Sequence, residues 1–299
     1  MHIAVTGSSG LIGSALVSQL TAAGHRTTRL VRREPAQGEI TWDPKAGKLD
    51  VEALIGIEAV VHLAGEDIAA ARWSAAQKER IRNSRAVGTR LLCEALARMG
   101  SPPRTLVSAS AIGVYGDRGD EILDEDSAEG QGFLPEVVRD WEAATQPARR
   151  AGIRVVLNRF GIVLSPRGGA LAKMLLPFRL GCGGVMGSGR QYWSWISLDD
   201  AVGAILRALT TDSLSGPVNA VSPHPVTNAD FTKILGRMLS RPTIVRVPAF
   251  AARLVLGEMA DALLLASARV YPRRLLEAGY AFRQPDLESA LHHVLSKST

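Results

Sequence analysis

MHIAVTGSSGLIG, residues 1–13, contains an apolar segment that runs into a glycine-rich turn and then into the start of a helix. Gly7, Gly10 and Gly13 have the spacing of a dinucleotide-binding turn. The first glycine permits the tight turn, the second lets the backbone approach a pyrophosphate, and the third lets the helix pack against the strand. The phosphates then lie at the N-terminus of the helix, where free N–H groups and the helix dipole favour negative charge.

The flanking residues support a strand, a turn, a helix and a second strand. Apolar side chains recur at helical spacing after the turn, and Gly24 ends that helix. Residues 27–31 predict the second strand, which completes a right-handed βαβ unit. The alternative is a glycine turn that binds no ligand, and this context disfavours it. The predicted cofactor contacts in the turn are Gly7, Ser9, Gly10, Leu11, Ile12 and Gly13.

Two arginines after the second strand indicate which cofactor is bound. NAD-binding folds place an Asp or Glu about 20 residues after the glycines, whereas NADP-binding folds place an arginine there for the 2′-phosphate. Arg32 lies 32 − 13 = 19 residues after Gly13, and Arg33 follows it. A guanidinium offers paired donors to phosphate oxygens. The sequence therefore predicts NADP(H), with a solvated basic strand end as the alternative.

Further strands and helices alternate along the chain. Residues 57–65, 103–108 and 153–160 predict buried strands, and helical patterns occupy 75–96 and 134–150. The alternation predicts an α/β fold with a doubly wound parallel Rossmann sheet. Ligands bind beyond the carboxyl ends of such strands. The further predicted cofactor contacts are Leu63, Ala64, Gly65, Arg85, Ser108 and Ile162.

The composition is that of a soluble, cytoplasmic enzyme. The 299 residues are 46% hydrophobic, which is enough for a large core. Two cysteines are too few for a disulfide framework and lack metal-ligand spacing, so no metal is predicted. A net charge of +6 suits an anionic ligand, but no basic run interleaved with aromatic residues indicates nucleic acid. Charges interrupt the apolar stretch 247–268, which predicts a packed amphipathic helix and no membrane span.

Several motifs resemble those of the extended short-chain dehydrogenase/reductases, the NAD-dependent epimerase/dehydratases. They are TGSSGLIG (6–13), LAG (63–65), SASA (108–111), VYG (114–116) and ISLDD (196–200). The chain is similar in particular to the epimerase-family group of the SDR39U1 and YfcH type. That likeness is carried by ITWDP (40–44), LAGE (63–66), RW (72–73), SR (84–85), WE (141–142), GSGRQ (187–191) and WI (195–196).

The resemblance implies two parts and a shared chemistry. It implies an NADP(H)-binding Rossmann domain over residues 1–160, together with 196–220. A smaller, C-terminal-biased substrate lobe then covers 161–195 and 221–299. The resemblance also implies a catalytic serine with a YxxxK pair, in which the tyrosine is the general acid/base and the lysine lowers its pKa.

The chain departs from the YxxxK pattern. No tyrosine has a lysine four residues later, since the residues that follow the four tyrosines at that spacing are Gly119, Ile196, Leu275 and Gln284. Alignment on residues 141–142 puts Leu134 near the tyrosine position and Val138 near the lysine position. The asparagine expected on the preceding helix is Arg85. The mechanism of the family therefore cannot be transferred directly to this chain.

Three residues remain as catalytic candidates. Ser110, at the end of its strand, is placed to hydrogen-bond a substrate oxygen, and Tyr115 and Glu142 are candidate proton donors. Each has a structural alternative: Ser110 satisfies backbone groups, Tyr115 packs in the core, and Glu142 caps a helix or forms a salt bridge.

A glycine-rich, aromatic and basic segment in the lobe predicts substrate contacts. Trp193 and Trp195 are predicted to stack on a ring, and Arg190 and Gln191 to meet phosphate or hydroxyl groups. Extended family members use this region for nucleotide sugars. The alternative is that the aromatic residues pack between the lobes.

Two functions of different class remain open. One is an NADP(H)-dependent oxidoreductase or epimerase that acts on a small or nucleotide-linked carbonyl or hydroxyl compound, as a monomer or homodimer. The other is an NADP(H)-binding redox sensor or regulatory partner, for example in cell division, without efficient turnover. The missing YxxxK pair is what keeps the second hypothesis open.

Overall fold

Eight strands pair in the central sheet of the computed structural model, which describes residues 1–296. Their order across the sheet is β13-β8-β6-β5-β1-β2-β3-β4, and all neighbours are parallel except β3 and β4. In chain order the strands are β1 His2–Thr6, β2 Arg26–Val31, β3 Glu39–Asp43, β4 Lys48–Leu49, β5 Ala59–His62, β6 Thr105–Ala111, β7 Ile122–Leu123, β8 Arg154–Phe160, β9 Ile162–Leu164, β10 Gly184–Met186, β11 Tyr192–Trp193, β12 Trp195–Ser197, β13 Gly216–Ala220, β14 Val226–Thr227, β15 Val245–Val247 and β16 Arg269–Val270.

Helices connect the strands and cover both faces of the sheet. They are α1 Leu11–Ala22, α2 Ala75–Ala97, α3 Phe133–Ala143, α4 Gln146–Arg150, α5 Gly169–Arg179, α6 Leu198–Thr210, α7 Asn228–Met238, α8 Ala249–Leu256, α9 Glu258–Ala260, α10 Arg273–Glu277 and α11 Leu287–Ser296. Short 3₁₀ turns lie at Glu52–Leu54 and Ile112–Tyr115, and a π-helical turn lies at Asp261–Leu265.

The direction of winding reverses between β1 and β5. From β1 the chain adds β2 and β3 on one side, and then crosses to add β5, β6 and β8 on the other. This confirms the predicted doubly wound α/β fold. The reversal opens a crevice beyond the carboxyl ends of β1 and β5, where Thr6 lies opposite His62.

Apolar side chains fill both faces of the sheet. Residues of α1 and α6 pack with inward-facing side chains such as Ile3, Val5 and Val156 on one face. Residues of α2 and α4 pack with Leu106, Leu157 and their neighbours on the other face. The strands are therefore buried on both sides, which explains their nearly continuous apolar runs.

A separate apolar cluster lies in the C-terminal part of the chain. It joins α5, α7 and α11 with β11 and β12, and it includes Trp193 and Trp195. Three two-stranded pairs, β9–β12, β10–β15 and β11–β14, hold these helices together. The domain bounds given above stay a prediction.

Two predicted helices are broken in the structure. The predicted helix over 134–150 ends at Ala143, and α4 then begins with Pro147 in its first turn, where a missing N–H costs nothing. The predicted helix over 247–268 ends at Leu256, because Gly257 has φ +63°. Within residues 1–296, no helix combines the length and apolar character needed to cross a bilayer.

Candidate functional site

The glycine turn between β1 and α1 is crowded at two of its glycines. Gly7 has φ +65°, and a Cβ there would lie 2.7 Å from the carbonyl carbon of Leu63. A Cβ on Gly13 would lie 2.1 Å from the carbonyl oxygen of Gly7. Neither position accepts a side chain without a backbone shift. The strand, the turn and the helix therefore pack as closely as the glycine spacing predicts.

The N-terminus of α1 is free to bind an anion. Gly10 precedes the helix, and no side chain caps its first turn and no acid lies there. Side chains do cap three other helices, with Ser74 on α2, Ser197 on α6 and Thr227 on α7. Ser9 and Gly10 are exposed, and the Gly10 amide donates to the Gly7 carbonyl at 2.9 Å. The N–H groups left for a phosphate are those of the first turn of α1.

A buried polar network fixes the crevice from below. The Thr6 hydroxyl lies 2.7 Å from His62 Nδ1, and His62 Nε2 lies 2.9 Å from the Thr89 hydroxyl. Thr6 Oγ1 also accepts a hydrogen bond from the Leu63 amide at 3.1 Å. Burial lowers the pKa of His62 to about 4, so the imidazole is neutral. This network is not among the residues predicted from the sequence, although a histidine in the apolar strand β5 is a visible signal.

Arg32 and Arg33 have different surroundings. Arg33 donates to Glu39 Oε1 at 2.6 Å and to the Glu34 carbonyl at 2.9 Å. Hydrogen bonds from the Ala36 amide and Arg33, and the charge of Arg33, lower the pKa of Glu39. Arg32 is exposed and forms no ion pair or side-chain hydrogen bond within residues 1–296. Of the two, Arg32 is the guanidinium that remains available to a ligand.

The segment that follows β5, beside the glycine turn, consists of Leu63, Ala64 and Gly65. Leu63 and Ala64 are half-buried, and Gly65 is exposed. Arg85 reaches this segment from α2, since a Cβ on Gly65 would lie 3.5 Å from Arg85 Cζ. The guanidinium donates to the Glu66 carbonyl at 3.0 Å and lies 5.2 Å from the Trp141 ring. Burial lowers the pKa of Arg85 to about 10, which leaves it charged at neutral pH.

The three catalytic candidates meet in one buried network around Arg159. Glu142 accepts from the Ser110 hydroxyl at 2.5 Å and from Arg159 Nε and Nη2, each at 2.8 Å. Arg159 Nη1 also donates to the Tyr115 hydroxyl at 3.1 Å, and that hydroxyl donates to Asn219 Oδ1 at 2.8 Å. Ser110, Tyr115 and Glu142 are predicted from the sequence, whereas Arg159 and Asn219 are not.

The electrostatics of this network hold its protons in place. Burial raises the pKa of Tyr115, against the opposing influence of Arg159, so the phenol stays protonated. Burial also disfavours the charge on Arg159, but its hydrogen bonds and charge interaction with Glu142 outweigh this and raise its pKa. Tyr115 is therefore a poor base at neutral pH, and the Ser110 hydroxyl is already directed at a carboxylate.

Ser108 and Ile162, the remaining predicted cofactor contacts, differ in how far they are exposed. Ser108 is fully buried, and its hydroxyl lies 3.2 Å from the carbonyl oxygen of Ala109. Ile162 is half-buried at the start of β9, where it pairs with Trp195. The structure thus leaves Ile162 accessible at the carboxyl end of the sheet and encloses Ser108.

The predicted substrate contacts are mostly structural. Trp195 is fully buried and Trp193 is 4% exposed, so neither indole has a free face for ring stacking, and that prediction is wrong. The Gln191 amide donates to the carbonyls of Met186 and Leu264, each at 3.0 Å. Trp193 Nε1 also donates to Leu264, at 3.3 Å. Only Arg190 of the four is exposed. The physical reason is that Gln191 and Trp193 hold the π-helical turn at Asp261–Leu265, and Trp195 Nε1 donates to the His224 carbonyl at 3.1 Å.

A sequence model described as the NAD dependent epimerase/dehydratase family matches residues 3–220. The chain belongs to this family. A second model, for a domain of unknown function (DUF1731), matches residues 247–294. An epimerase family protein from Mycobacterium bovis is 47% identical over 296 residues, covering 99% of this chain and 98% of the relative.

Two solved structures are also similar over nearly the whole chain. The human epimerase family protein SDR39U1 with NADPH has a TM-score of 0.90 and 34% identity, and 99% of each chain is covered. A nucleoside-diphosphate sugar epimerase from Corynebacterium glutamicum has a TM-score of 0.83 and 42% identity. That match covers 99% of this chain and 58% of the Corynebacterium chain.

Proposed function

We propose that this member of the family binds NADP(H) in the crevice beyond β1 and β5. It works as an oxidoreductase or epimerase-like enzyme of the extended short-chain dehydrogenase/reductase type. Its substrate is a small or nucleotide-linked carbonyl or hydroxyl compound. The observation that carries the proposal is an uncapped helix N-terminus beside a crowded glycine turn, with an unpartnered Arg32 beyond β2.

The residues present fit the dinucleotide. Gly7 and Gly13 let the turn pack directly against the Leu63 backbone and the start of α1, where a Cβ would clash, and the free N–H groups of α1 face the place of the pyrophosphate. The half-buried Leu63, Ala64 and Ile162 give apolar contacts along the crevice. When bound, the nicotinamide supplies or accepts the hydride. The human relative with bound NADPH supports this choice of cofactor.

The cofactor proposal is tested by replacing one arginine at a time. We expect Arg32→Ala to weaken NADPH binding about ten- to a hundred-fold and to leave NADH binding within about two-fold, because only NADPH carries the 2′-phosphate. Arg33→Ala is the matched control, since Glu39 already holds Arg33. Titrations followed by NADPH fluorescence measure both. An unchanged preference for NADPH in Arg32→Ala would contradict the assignment.

A second candidate function is an NADP(H)-binding sensor or regulatory partner with little turnover. The network of Ser110, Glu142, Arg159 and Tyr115 favours it, because burial keeps Tyr115 protonated and its hydroxyl donates to Asn219, which makes it a poor base. Incubation of the NADPH-loaded protein with carbonyl compounds and nucleotide sugars separates the two. Turnover that Ser110→Ala abolishes supports the enzyme, whereas tight NADPH binding with no turnover supports the sensor.

Other attributes stay predictions. They are the cytoplasmic location, the monomeric or homodimeric state, and the lobe boundaries at residues 160–161, 195–196 and 220–221. Size-exclusion chromatography with light scattering measures the oligomeric state directly.

A further inference from the structure

Resting on the proposed function, we propose that the reaction end of the crevice takes an apolar, planar carbonyl compound and excludes a sugar ring. Six residues of one apolar cluster, which we call the apolar wall, carry the proposal. They are Ile68, Trp73, Phe133, Leu134, Met259 and Leu263.

The apolar wall stands next to the turn that follows β6. A Cβ on Gly113, in the 3₁₀ turn after Ser110, would lie 3.6 Å from Leu134 Cβ. Leu134 is near the position where the resemblance expects the tyrosine, and Val138, near the lysine position, is 3% exposed. Aliphatic groups therefore replace the polar pair at the place where a substrate oxygen would meet it.

Trp73 and Met259 are the buried base of the wall, and Ile68, Phe133, Leu134 and Leu263 are its partly exposed members. Trp73 and Phe133 meet edge to face, with ring centroids 5.0 Å apart. The indole N–H of Trp73 donates to the Ile68 carbonyl at 2.8 Å, so its one polar atom is already satisfied. The other four members carry no hydrogen-bonding group in their side chains. The wall thus offers dispersion contacts and ring edges to a ligand.

The lobe holds the wall in place through the π-helical turn. Leu263 lies in this turn, and the Leu264 carbonyl accepts hydrogen bonds from Gln191 and Trp193. A Cβ on Gly187 would lie 2.9 Å from Leu265 Cδ2, which places a second lobe segment against the turn. π-helical turns are rare and occur often at functional sites. Gln191 and Trp193, which the sequence predicts as substrate contacts, therefore position the wall.

The charged groups beside the wall are mostly paired with one another. Lys78 lies 5.0 Å from the Phe133 ring and forms an ion pair with Glu258, and Lys173 pairs with Asp67 at 3.3 Å. These pairs link the loop after β5 and α2 to the lobe. At the rim, the exposed Arg72 lies against Gly257 and has no ion-pair partner within residues 1–296.

A sugar ring is a poor fit to such a wall. Each hydroxyl group buried there without a partner weakens binding by about five- to a hundred-fold. A planar conjugated carbonyl compound has no hydroxyl groups and gains from contact with Leu134, Phe133 and Leu263. The apolar wall therefore disfavours polar ligands, because their hydroxyl groups have no hydrogen-bond partner there.

To test the proposal, the NADP⁺-loaded full-length protein is titrated with 9,10-phenanthrenequinone and, separately, with UDP-glucose. Calorimetry measures the affinity for each compound. The oxidised cofactor prevents reduction of the quinone during the titration. We expect the quinone to bind at least tenfold more tightly than UDP-glucose. Leu263→Asn should weaken quinone binding about tenfold or more, since it puts an amide into the wall. Leu254→Asn, at an exposed position of α8, should change it less than about twofold.

Three results would overturn the proposal: UDP-glucose binds as tightly as the quinone, the quinone does not bind, or Leu263→Asn leaves quinone binding unchanged. Where Leu263→Asn melts below the unmodified protein, Leu263→Ala takes its place, with a loss of about threefold expected. Cofactor binding is measured separately from NADPH fluorescence. Absence of NADPH binding counts against the proposed function. Titration of the cofactor-free protein with the quinone still measures binding of the quinone to the apolar wall.

Discussion

The phosphate end and the reaction end of the crevice are built in different ways. At the phosphate end, between β1 and α1, the backbone forms the surface, and glycines at 7 and 13 make the close approach possible. At the reaction end, side chains from distant segments meet, as Ser110 does with Glu142 and Tyr115 with Asn219. The comparison teaches that glycine spacing within a few residues specifies a backbone site, whereas a side-chain site depends on residues that the fold brings together from far along the chain.

The largest expected effect is at the reaction end. Glu142→Ala removes the hydrogen-bonded carboxylate partner of Arg159, a residue that is 4% exposed, and leaves its guanidinium only the carboxylate of Glu129 at 4.0 Å. We expect a loss of about 3–5 kcal/mol in the free energy of unfolding. Urea denaturation at neutral pH measures it. Glu136→Ala is the control, since this α3 carboxylate pairs with Arg82 at the exposed surface and should cost less than about 1 kcal/mol. Equal losses for the two variants would show that the Arg159 network contributes no stability.

The next effect concerns His62, below the phosphate end. Its folded pKa of about 4 lies below the value of 6.5 for an exposed histidine, so the fold favours the neutral ring. The contribution is complete above pH 6.5 and is lost as pH falls towards 4, which amounts to about 3 kcal/mol. Denaturation at pH 7 and pH 4.5 should show a drop that His62→Gln reduces by about 2 kcal/mol. The exposed His292→Gln should keep the full drop. A drop that His62→Gln leaves unaltered would contradict this role.

A smaller effect tests the backbone nature of the phosphate end. Gly13→Ala adds a Cβ 2.1 Å from the Gly7 carbonyl oxygen, so the turn must shift. We expect NADPH binding to weaken at least about tenfold, in line with an overpacking cost of about 1–3 kcal/mol. Gly100→Ala is the control, because nothing lies within 4 Å of a Cβ there. Fluorescence titration measures both variants, and equal affinities would mean that the turn does not contact the cofactor.

The parts of the fold that the sequence predicts are the local ones, as at the phosphate end of the crevice. Short-range patterns predicted β1, α1, β2 and the parallel sheet, because glycine spacing and apolar periodicity report local conformation and burial. The breaks at Thr145 and Gly257 were missed, although Pro147 and the glycine itself were local signals. Both lie inside otherwise helical apolar patterns, which dominated the interpretation.

Long-range contacts could not be predicted from local patterns. Gln191 and Leu264 are 73 residues apart, and Tyr115 and Asn219 are 104 apart, so no periodicity relates them. The burial of Trp193 and Trp195 was missed for the same reason: helices α7 and α11, which cover them, come later in the chain. Family resemblance found Ser110, Tyr115 and Glu142, but only the fold shows that Arg159 joins them.

The central claim is that the glycine turn and Arg32 hold a phosphorylated nicotinamide dinucleotide. Calorimetric titration of the unmodified protein with NADPH and NADH at low salt tests it most directly. The account predicts binding of one dinucleotide per chain, with NADPH tighter by about ten- to a hundred-fold. No binding of NADPH or NADP⁺, or equal affinity for NADPH and NADH, would contradict it.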